Sequence, residues 1–387
     1  MFEDVPRLED LGPLDGRSVL VRADLNVPLR RGADGDEEVA DDFRVRKAVP
    51  TLAWLRRHGA AVTVASHLGR PKGRVDDALR MEPVRRLLTA IVPGVTVLEN
   101  LRFDPGEEAG DPAFGARLVE GHDLFVNDAF GACHRAHASI VYPPTVLPSA
   151  SGRLLAAELD ALGRIIDHPA RPFTVVAGGL KVADKLATLR ALARSADHMV
   201  VGGAMALTFL AATGRRVGDS PVEPGELEPC RAFLASGAPI TLPTDLVATR
   251  RPAGARDGPD DVESFAGDVP DGWRVVDIGP ASRRRFAERI DGSGAVLWNG
   301  PMGVVEDPVS ADGTRSVAQA VAACRGFTVV GGGDTVSAVR AFGLGDAYGH
   351  LSTGGGAMLE LVQRGDLPGI GALRAAGRRR AGSGTRR

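Results

Sequence analysis

The chain reads as an α/β protein built from two doubly wound, parallel-sheet, Rossmann-like domains joined by a helix. Three observations predict this: short, continuously apolar, Val-rich runs, helix-length stretches between them, and a change half-way along in the residues that close the runs. Strands buried on both faces read as unbroken apolar segments, and their alternation with helices implies βαβ units with right-handed crossovers. A length of 387 residues suits two or three domains, and 44% hydrophobic with 25% charged residues excludes disordered and fibrous classes.

Taken in order, the apolar runs predict strands over 18–22, 61–66, 95–99, 124–127, 173–177, 198–201, 240–242, 295–298, 327–330 and 349–352. Helices are expected over 45–58, 82–90, 156–166, 184–195, 204–213, 282–290, 316–323 and 335–342. The helical stretch 154–166, closed by His168-Pro169, is the expected connector, because the residue before a proline is driven out of helical geometry. Segments 30–38 and 250–261 read as charged surface loops, and the Arg-rich, apolar-poor tail over 378–384 as disordered. No repeat of fixed period is visible.

The formal net charge of -2 gives no general attraction to nucleic acid or membrane surfaces, so anion binding has to come from local clusters. The start is acidic, without the basic and apolar regions of a secretion signal, and no apolar run reaches membrane-spanning length. A cytoplasmic protein is expected. Cys133, Cys230 and Cys324 are odd in number and widely spaced, which opposes a disulfide framework or a zinc site, and Cys133 reads as a small filler residue.

In the first half the runs end in Arg22-Ala23-Asp24-Leu25-Asn26, in Ser66-His67-Leu68-Gly69-Arg70 and in Asn127-Asp128-Ala129-Phe130-Gly131-Ala132-Cys133-His134-Arg135. Planar guanidinium groups match carboxylate and phosphate bidentately, so Arg22, Arg44, Arg70, Arg102 and Arg135, with His67 and His134, are expected to converge on a small anion. In the second half the runs end in Gly178-Gly179-Leu180-Lys181, Gly202-Gly203, Asn299-Gly300-Pro301 and Gly331-Gly332-Gly333-Asp334-Thr335. Exposed N–H groups in such turns, followed by helices, form nests for a polyphosphate, and Asp334 adds a hard oxygen for Mg²⁺. Ser352-Thr353-Gly354-Gly355-Gly356 repeats the pattern. Lys181 and Lys185, four apart, point to the same end of the domain if a helix begins near Lys181; an ordinary amphipathic helix with solvated lysines has the same spacing. Neither GxxxxGK[ST] nor GxGxxG with a downstream acid occurs, which excludes a Walker A loop and disfavours a dinucleotide enzyme.

These segments together resemble the phosphoglycerate kinase family. The likeness runs through Arg22-Ala23-Asp24-Leu25-Asn26-Val27-Pro28, Ser66-His67-Leu68-Gly69-Arg70-Pro71-Lys72-Gly73, Leu98-Glu99-Asn100-Leu101-Arg102-Phe103, residues 127–139 and 181–185, Trp298-Asn299-Gly300-Pro301-Met302-Gly303-Val304-Val305-Glu306, the two triple-glycine turns and Leu367-Pro368-Gly369. The resemblance implies a bilobal kinase and reversible Mg²⁺-dependent phosphoryl transfer, 1,3-bisphosphoglycerate and ADP giving 3-phosphoglycerate and ATP, in glycolysis, gluconeogenesis or carbon fixation. It implies that Asp24, Asn26, Arg44, His67, Arg70, Arg102 and Arg135 hold the glycerate. It implies nucleotide contacts at Lys185, Gly202, Gly203, Asn299, Glu306, Gly332, Gly333, Asp334 and Thr335, with Asp334 at the metal. Arg44, Lys181, Gly354 and Gly355 are implied at the phosphoryl group in transit. The implied domains are 1–168, with 367–387 packing back on it, and 169–366, in a monomer acting on small molecules, with neither nucleic acid nor membrane as partner. Leu180, Ala157 and Val305 depart from the family's small residue, Lys and aromatic residue; a weakened paralogue serving as a binding or regulatory protein is the alternative they raise.

Overall fold

The computed structural model describes residues 1–32, 35–251 and 261–384. The chain divides into two compact units, Met1–Asp160 together with the chain from Arg364 onward, and Ala161–Gln363.

The first unit holds β1 (Ser18–Ala23), β2 (Leu29–Arg31), β3 (Glu37–Val39), β4 (Ala61–Ala65), β5 (Thr96–Val97), β6 (Leu124–Asp128) and β7 (Ser149–Ser151). Its parallel sheet runs β5-β4-β1-β6-β7. Both faces are covered, which is why the strands are apolar throughout: Val19, Val21, Val62 and Val64 pack with Leu52 and Leu55 in one cluster, while Leu20 and Phe125 pack with Leu101 in another. The order reverses between β1 and β6, and at such a switch point the strand ends open a crevice. Arg22 stands there in register with Asn127 on one side and Ala65 on the other.

The second unit repeats the plan. Its strands are β8 (Phe173–Ala177), β9 (His198–Val201), β10 (Ile240–Thr241), β11 (Leu246–Thr249), β12 (Val262–Phe265), β13 (Arg274–Ile278), β14 (Ala295–Asn299), β15 (Phe327–Gly331) and β16 (His350–Leu351). Six form a parallel sheet in the order β10-β9-β8-β14-β15-β16, switching direction between β8 and β14. An antiparallel sheet, β12-β11-β13, stands beside it.

Several expectations need correction. The two ends of segment 30–38 are strands, β2 and β3 pairing antiparallel, with Arg30 opposite Glu38 in register and in an ion pair at 3.5 Å. The tail is the helix Pro368–Gly384, with Leu367, Ile370 and Leu373 buried. Its helix packs on the first unit, where the Gly369 N–H donates to the Cys133 carbonyl at 3.0 Å and Arg374 to Asp4 at 2.8 Å. The helix behind β8 begins only at Leu186, so Lys181 and Lys185 do not share a helix face. Most of the expected loop 250–261 lies outside the described residues. The connector is the helix Arg153–Ile166, and the Asp128 carboxylate accepts the N–H groups of Leu154 at 2.9 Å and Leu155 at 3.2 Å in its first turn.

Candidate active site

In the first unit the strand ends deliver a cationic cluster. Arg44, at the start of the helix Phe43–Arg57, reaches the Asp24 carboxylate beyond β1, with its Nη1 2.9 Å from both oxygens. Burial alone would raise the Asp24 carboxyl, but the Arg44 and Arg22 guanidiniums, with the Asn26 N–H, hold it below the ordinary carboxylate range. The Asn26 side-chain amide oxygen Oδ1 accepts the Gly69 N–H at 2.8 Å, and Arg102 donates to the Gly69 backbone carbonyl at 2.9 Å, which ties the loop after β4 to the cluster. Arg102 Nε also lies 3.3 Å from Glu108. Burial first, then the Arg22 charge, keeps the His67 imidazole well below its ordinary pKa, so it is uncharged. Arg70 and Arg135 are exposed.

Arg22 is not a ligand group. It is fully buried, with Nε donating to Ser139 Oγ at 2.8 Å and one terminal nitrogen to His67 Nδ1 at 3.1 Å. Of the five arginines expected to converge on an anion, Arg22 is therefore sealed off, and Arg44, Arg70, Arg102 and Arg135 remain candidates. Two supporting residues were missed by the sequence reading. Glu107 is wholly buried beneath Arg22, and Asn100 donates to the Leu68 and Leu79 carbonyls at 2.7 and 2.9 Å. The only hint of Asn100 was one amide between Leu98 and Leu101; Glu107 gave none. Cys133 is buried and its thiol is pushed up to about 12 by burial, which suits a filler residue.

In the second unit the strand ends are glycine turns. A cavity of about 330 Å³ is lined by Lys181, Lys185, Asn299, Gly332, Gly333, Asp334 and Thr335, with Gly179, Leu180, Asp184, Gly300 and Pro301. Gly332 has φ +95, and the helix Gly333–Ala341 starts behind it. The helix Gly355–Arg364 starts so close that a Cβ on Gly355 would lie 2.6 Å from Gly332 Cα. Two helix N-termini therefore meet at the cavity edge, with Gly354 just before the second. Lys185 Nζ is the inward cation, donating to the carbonyls of Gly178 at 2.6 Å and Asn299 at 3.3 Å. Burial lowers it to about 8. Lys181 is exposed, as is Asp334. Thr335 is buried and its hydroxyl accepts the Gly300 N–H at 2.9 Å, while the buried Asn299 amide nitrogen has no protein partner.

A second cavity, of about 320 Å³, is mostly apolar and is lined by Gly203, Leu207, Leu246, Val276, Ile278, Met302, Val304 and Val305, with Glu306, Asp277 and Asp334 as its acids. Leu180 and Asp334 line both cavities. Gly202 lines neither and backs on Met302. Asp277, missed by the sequence reading, is raised to about 7 by burial. The apolar slot and the glycine nest are thus continuous, sharing Gly179, Leu180, Pro301 and Asp334.

The phosphoglycerate kinase family model matches residues 8–97 and 93–364, which takes in both sites. The chain belongs to the phosphoglycerate kinase family. It is 47% identical to the Phosphoglycerate kinase of Frankia alni over 392 residues, 92% of this chain and 97% of that protein. To the Phosphoglycerate kinase of Roseiflexus sp. it is 44% identical over 391 residues, 93% and 97% of the two chains. The solved phosphoglycerate kinase of Coxiella burnetii superposes with a TM-score of 0.83 at 32% identity, covering 95% of this chain and 98% of the other. That of Pyrococcus horikoshii gives 0.84 at 27% identity, with 96% and 98% covered. Among the departures from the family, Leu180 is 67% exposed, Val305 lines the apolar cavity and Ala157 faces solvent, where a lost ion pair costs ~0–1 kcal/mol.

Proposed function

We infer that the protein catalyses reversible phosphoryl transfer between 1,3-bisphosphoglycerate and ADP, giving 3-phosphoglycerate and ATP, the glycolytic reaction of its family. The observation that carries this is the end-to-end family match over a chain whose two units each open a crevice at a switch point, one lined by arginines and the other by glycines. Arg44, Arg70, Arg102 and Arg135, with Asp24, Asn26 and His67, hold the glycerate. The apolar cavity takes the nucleoside, with Glu306 beside the ribose, and the glycine cavity takes the phosphates, with Lys185 at its base. Phosphoryl transfer needs positioning and charge neutralisation rather than a covalent nucleophile, and the guanidiniums, ammoniums and helix N-termini supply both.

Mg²⁺ fits this site as a shared ligand. No group of three His, Cys, Asp or Glu side chains suited to a metal occurs among the described residues. One exposed carboxylate, Asp334, at the rim of a phosphate nest is nevertheless the donor set that magnesium takes when nucleotide oxygens and water complete its shell. When bound, the ion neutralises phosphate charge. Lys181, exposed at the cavity rim, is the group placed to meet the phosphoryl oxygens as charge develops. A monomeric, cytoplasmic protein acting on small molecules, and not on nucleic acid, accords with this reading; no helix among the described residues is long and apolar enough to cross a membrane.

The test is a coupled assay with 3-phosphoglycerate and MgATP, run on the unaltered protein and on Lys181→Ala. Turnover by the first is expected, with kcat of the second lower by ~10²–10³-fold while the binding of either substrate changes little. A protein that binds both substrates and turns over neither would instead be a binding module on the same fold.

A further inference from the structure

Beneath the arginine cluster of the first unit lies a chain of buried polar groups whose hydrogen-bond directions are fixed one by one by chemistry. Glu107 is wholly buried and accepts from Ser139 twice, from its N–H at 2.9 Å and from its hydroxyl at 2.6 Å. With its proton spent on Glu107, Ser139 Oγ has only lone pairs to offer, and it accepts Arg22 Nε–H at 2.8 Å. Arg22 can only donate, so at the 3.1 Å contact between its terminal nitrogen and His67 Nδ1 the imidazole must be the acceptor. A ring that accepts at Nδ1 and is uncharged carries its one proton on Nε2. Among the described residues Nε2 makes no hydrogen bond.

We propose that Glu107, acting through Ser139 and Arg22, is a positioning residue that holds the His67 proton on Nε2 and so makes the imidazole a fixed donor to the anion in this cluster. The charge pattern supports this. Arg22, Arg44 and Arg102 face His67 against the one carboxylate of Asp24, so a second ring proton would add a cation to a cluster already rich in them. Glu107 in turn stands 3.8 Å from Arg22 and offsets a guanidinium with no exposed surface. Such a charge, left unpaired, would be strongly unfavourable at this depth. The device gives the site a donor that neither loses nor gains a proton across the range in which free histidine titrates. An anion would then meet the same donor at every pH in that range. That His67 meets 3-phosphoglycerate rests on the functional reading above; its proton position does not.

The experiment is nitrogen NMR on the full-length, ligand-free protein labelled with ¹⁵N-histidine, with the His67 signal assigned by its loss in His67→Gln. The expected result is an unprotonated Nδ1 and a protonated Nε2, unchanged from about pH 5.5 to 8. A proton on Nδ1, or titration within that range, overturns the proposal, and the measurement itself is made on the unaltered protein without ligand, His67→Gln serving only for assignment. Glu107→Gln and the smaller change Ser139→Ala test the role of Glu107. In whichever folds, the single tautomer is expected to give way to a mixture, and 3-phosphoglycerate is expected to bind ~10-fold or more weakly with a new pH dependence in the histidine range. A folded variant with the unaltered tautomer removes Glu107 from the assignment. Failure of the unaltered protein to bind 3-phosphoglycerate would count against the functional reading, while the ligand-free spectrum still decides the proton position.

Discussion

Lys185 is an ammonium held among carbonyls, and its protonation should report on the ligand. Burial lowers it to about 8, against the attraction of Asp334 and Asp184. In the unfolded chain a lysine titrates near ~10.4. The cost of the buried charge is therefore full below about pH 8 and fades as pH rises towards ~10.4, so this group makes stability increase with pH across that window. Phosphate oxygens beside Nζ reverse the shift, so ADP binding should take up a proton: almost none at about pH 6.5 and approaching one by about pH 9. Calorimetry in buffers of different ionisation heat measures the uptake, and equal heats in all buffers at the higher pH would place Lys185 away from the phosphates. Lys185→Met should abolish the uptake. At this scale the sequence showed which side chains carry charge but not which way they face. Arg22 and Arg44 read alike in the sequence, yet one is fully buried against Ser139 and Glu107 while the other is part-exposed at the site.

The meeting of the helices Gly333–Ala341 and Gly355–Arg364 is set by an absent side chain. Alanine for glycine near a helix start ordinarily gains stability, because glycine loses more freedom on ordering. At Gly355 the new Cβ would lie 2.6 Å from Gly332 Cα, and backbone cannot swing aside as a side chain can. Gly355→Ala should therefore lower kcat by ~10-fold or more through the displaced helix N-terminus, even if the melting temperature hardly moves; full activity would mean that the two N-termini need not touch. The parallel strands were legible because burial on both faces leaves unbroken apolar runs, as in Phe173–Ala177 and His198–Val201, whose bounds agree with those expected. The strand Ser149–Ser151 was missed because small hydroxyl residues at a buried sheet edge carry no apolar signature. The strand Val262–Phe265 was missed because its central Glu263 and Ser264 are exposed and its neighbours read as a charged loop. The condition under which the two lysines would share a helix face, a helix beginning near Lys181, is not met, because the chain makes turns until Leu186.

For the molecule as a whole, assigning one substrate to each unit predicts separable protection. In hydrogen exchange, 3-phosphoglycerate alone should slow amides around Asn26 and Gly69 in the first unit, whereas ADP alone should slow those of Gly179, Gly300, Gly333 and Asp334 in the second. Protection by ADP confined to the first unit would reverse the assignment. The change of chemistry at the strand ends, arginines before the connector and glycine turns after it, made this plan readable from sequence; the repeated strand order that sets each switch point did not show there. Less visible from the residues themselves was how far the helix runs, because residues 378–381, Arg-rich and apolar-poor, bury no face of their own and continue the helix that Leu367, Ile370 and Leu373 anchor. That return of the chain has a consequence for synthesis. The second unit is one uninterrupted stretch, Ala161–Gln363, while the first is assembled from both ends of the polypeptide. As the ribosome releases the chain, the second unit has all its residues in hand while the first still lacks the helix Pro368–Gly384. The half made first is thus the half completed last, and a message truncated near its end leaves a finished second unit attached to an unfinished first.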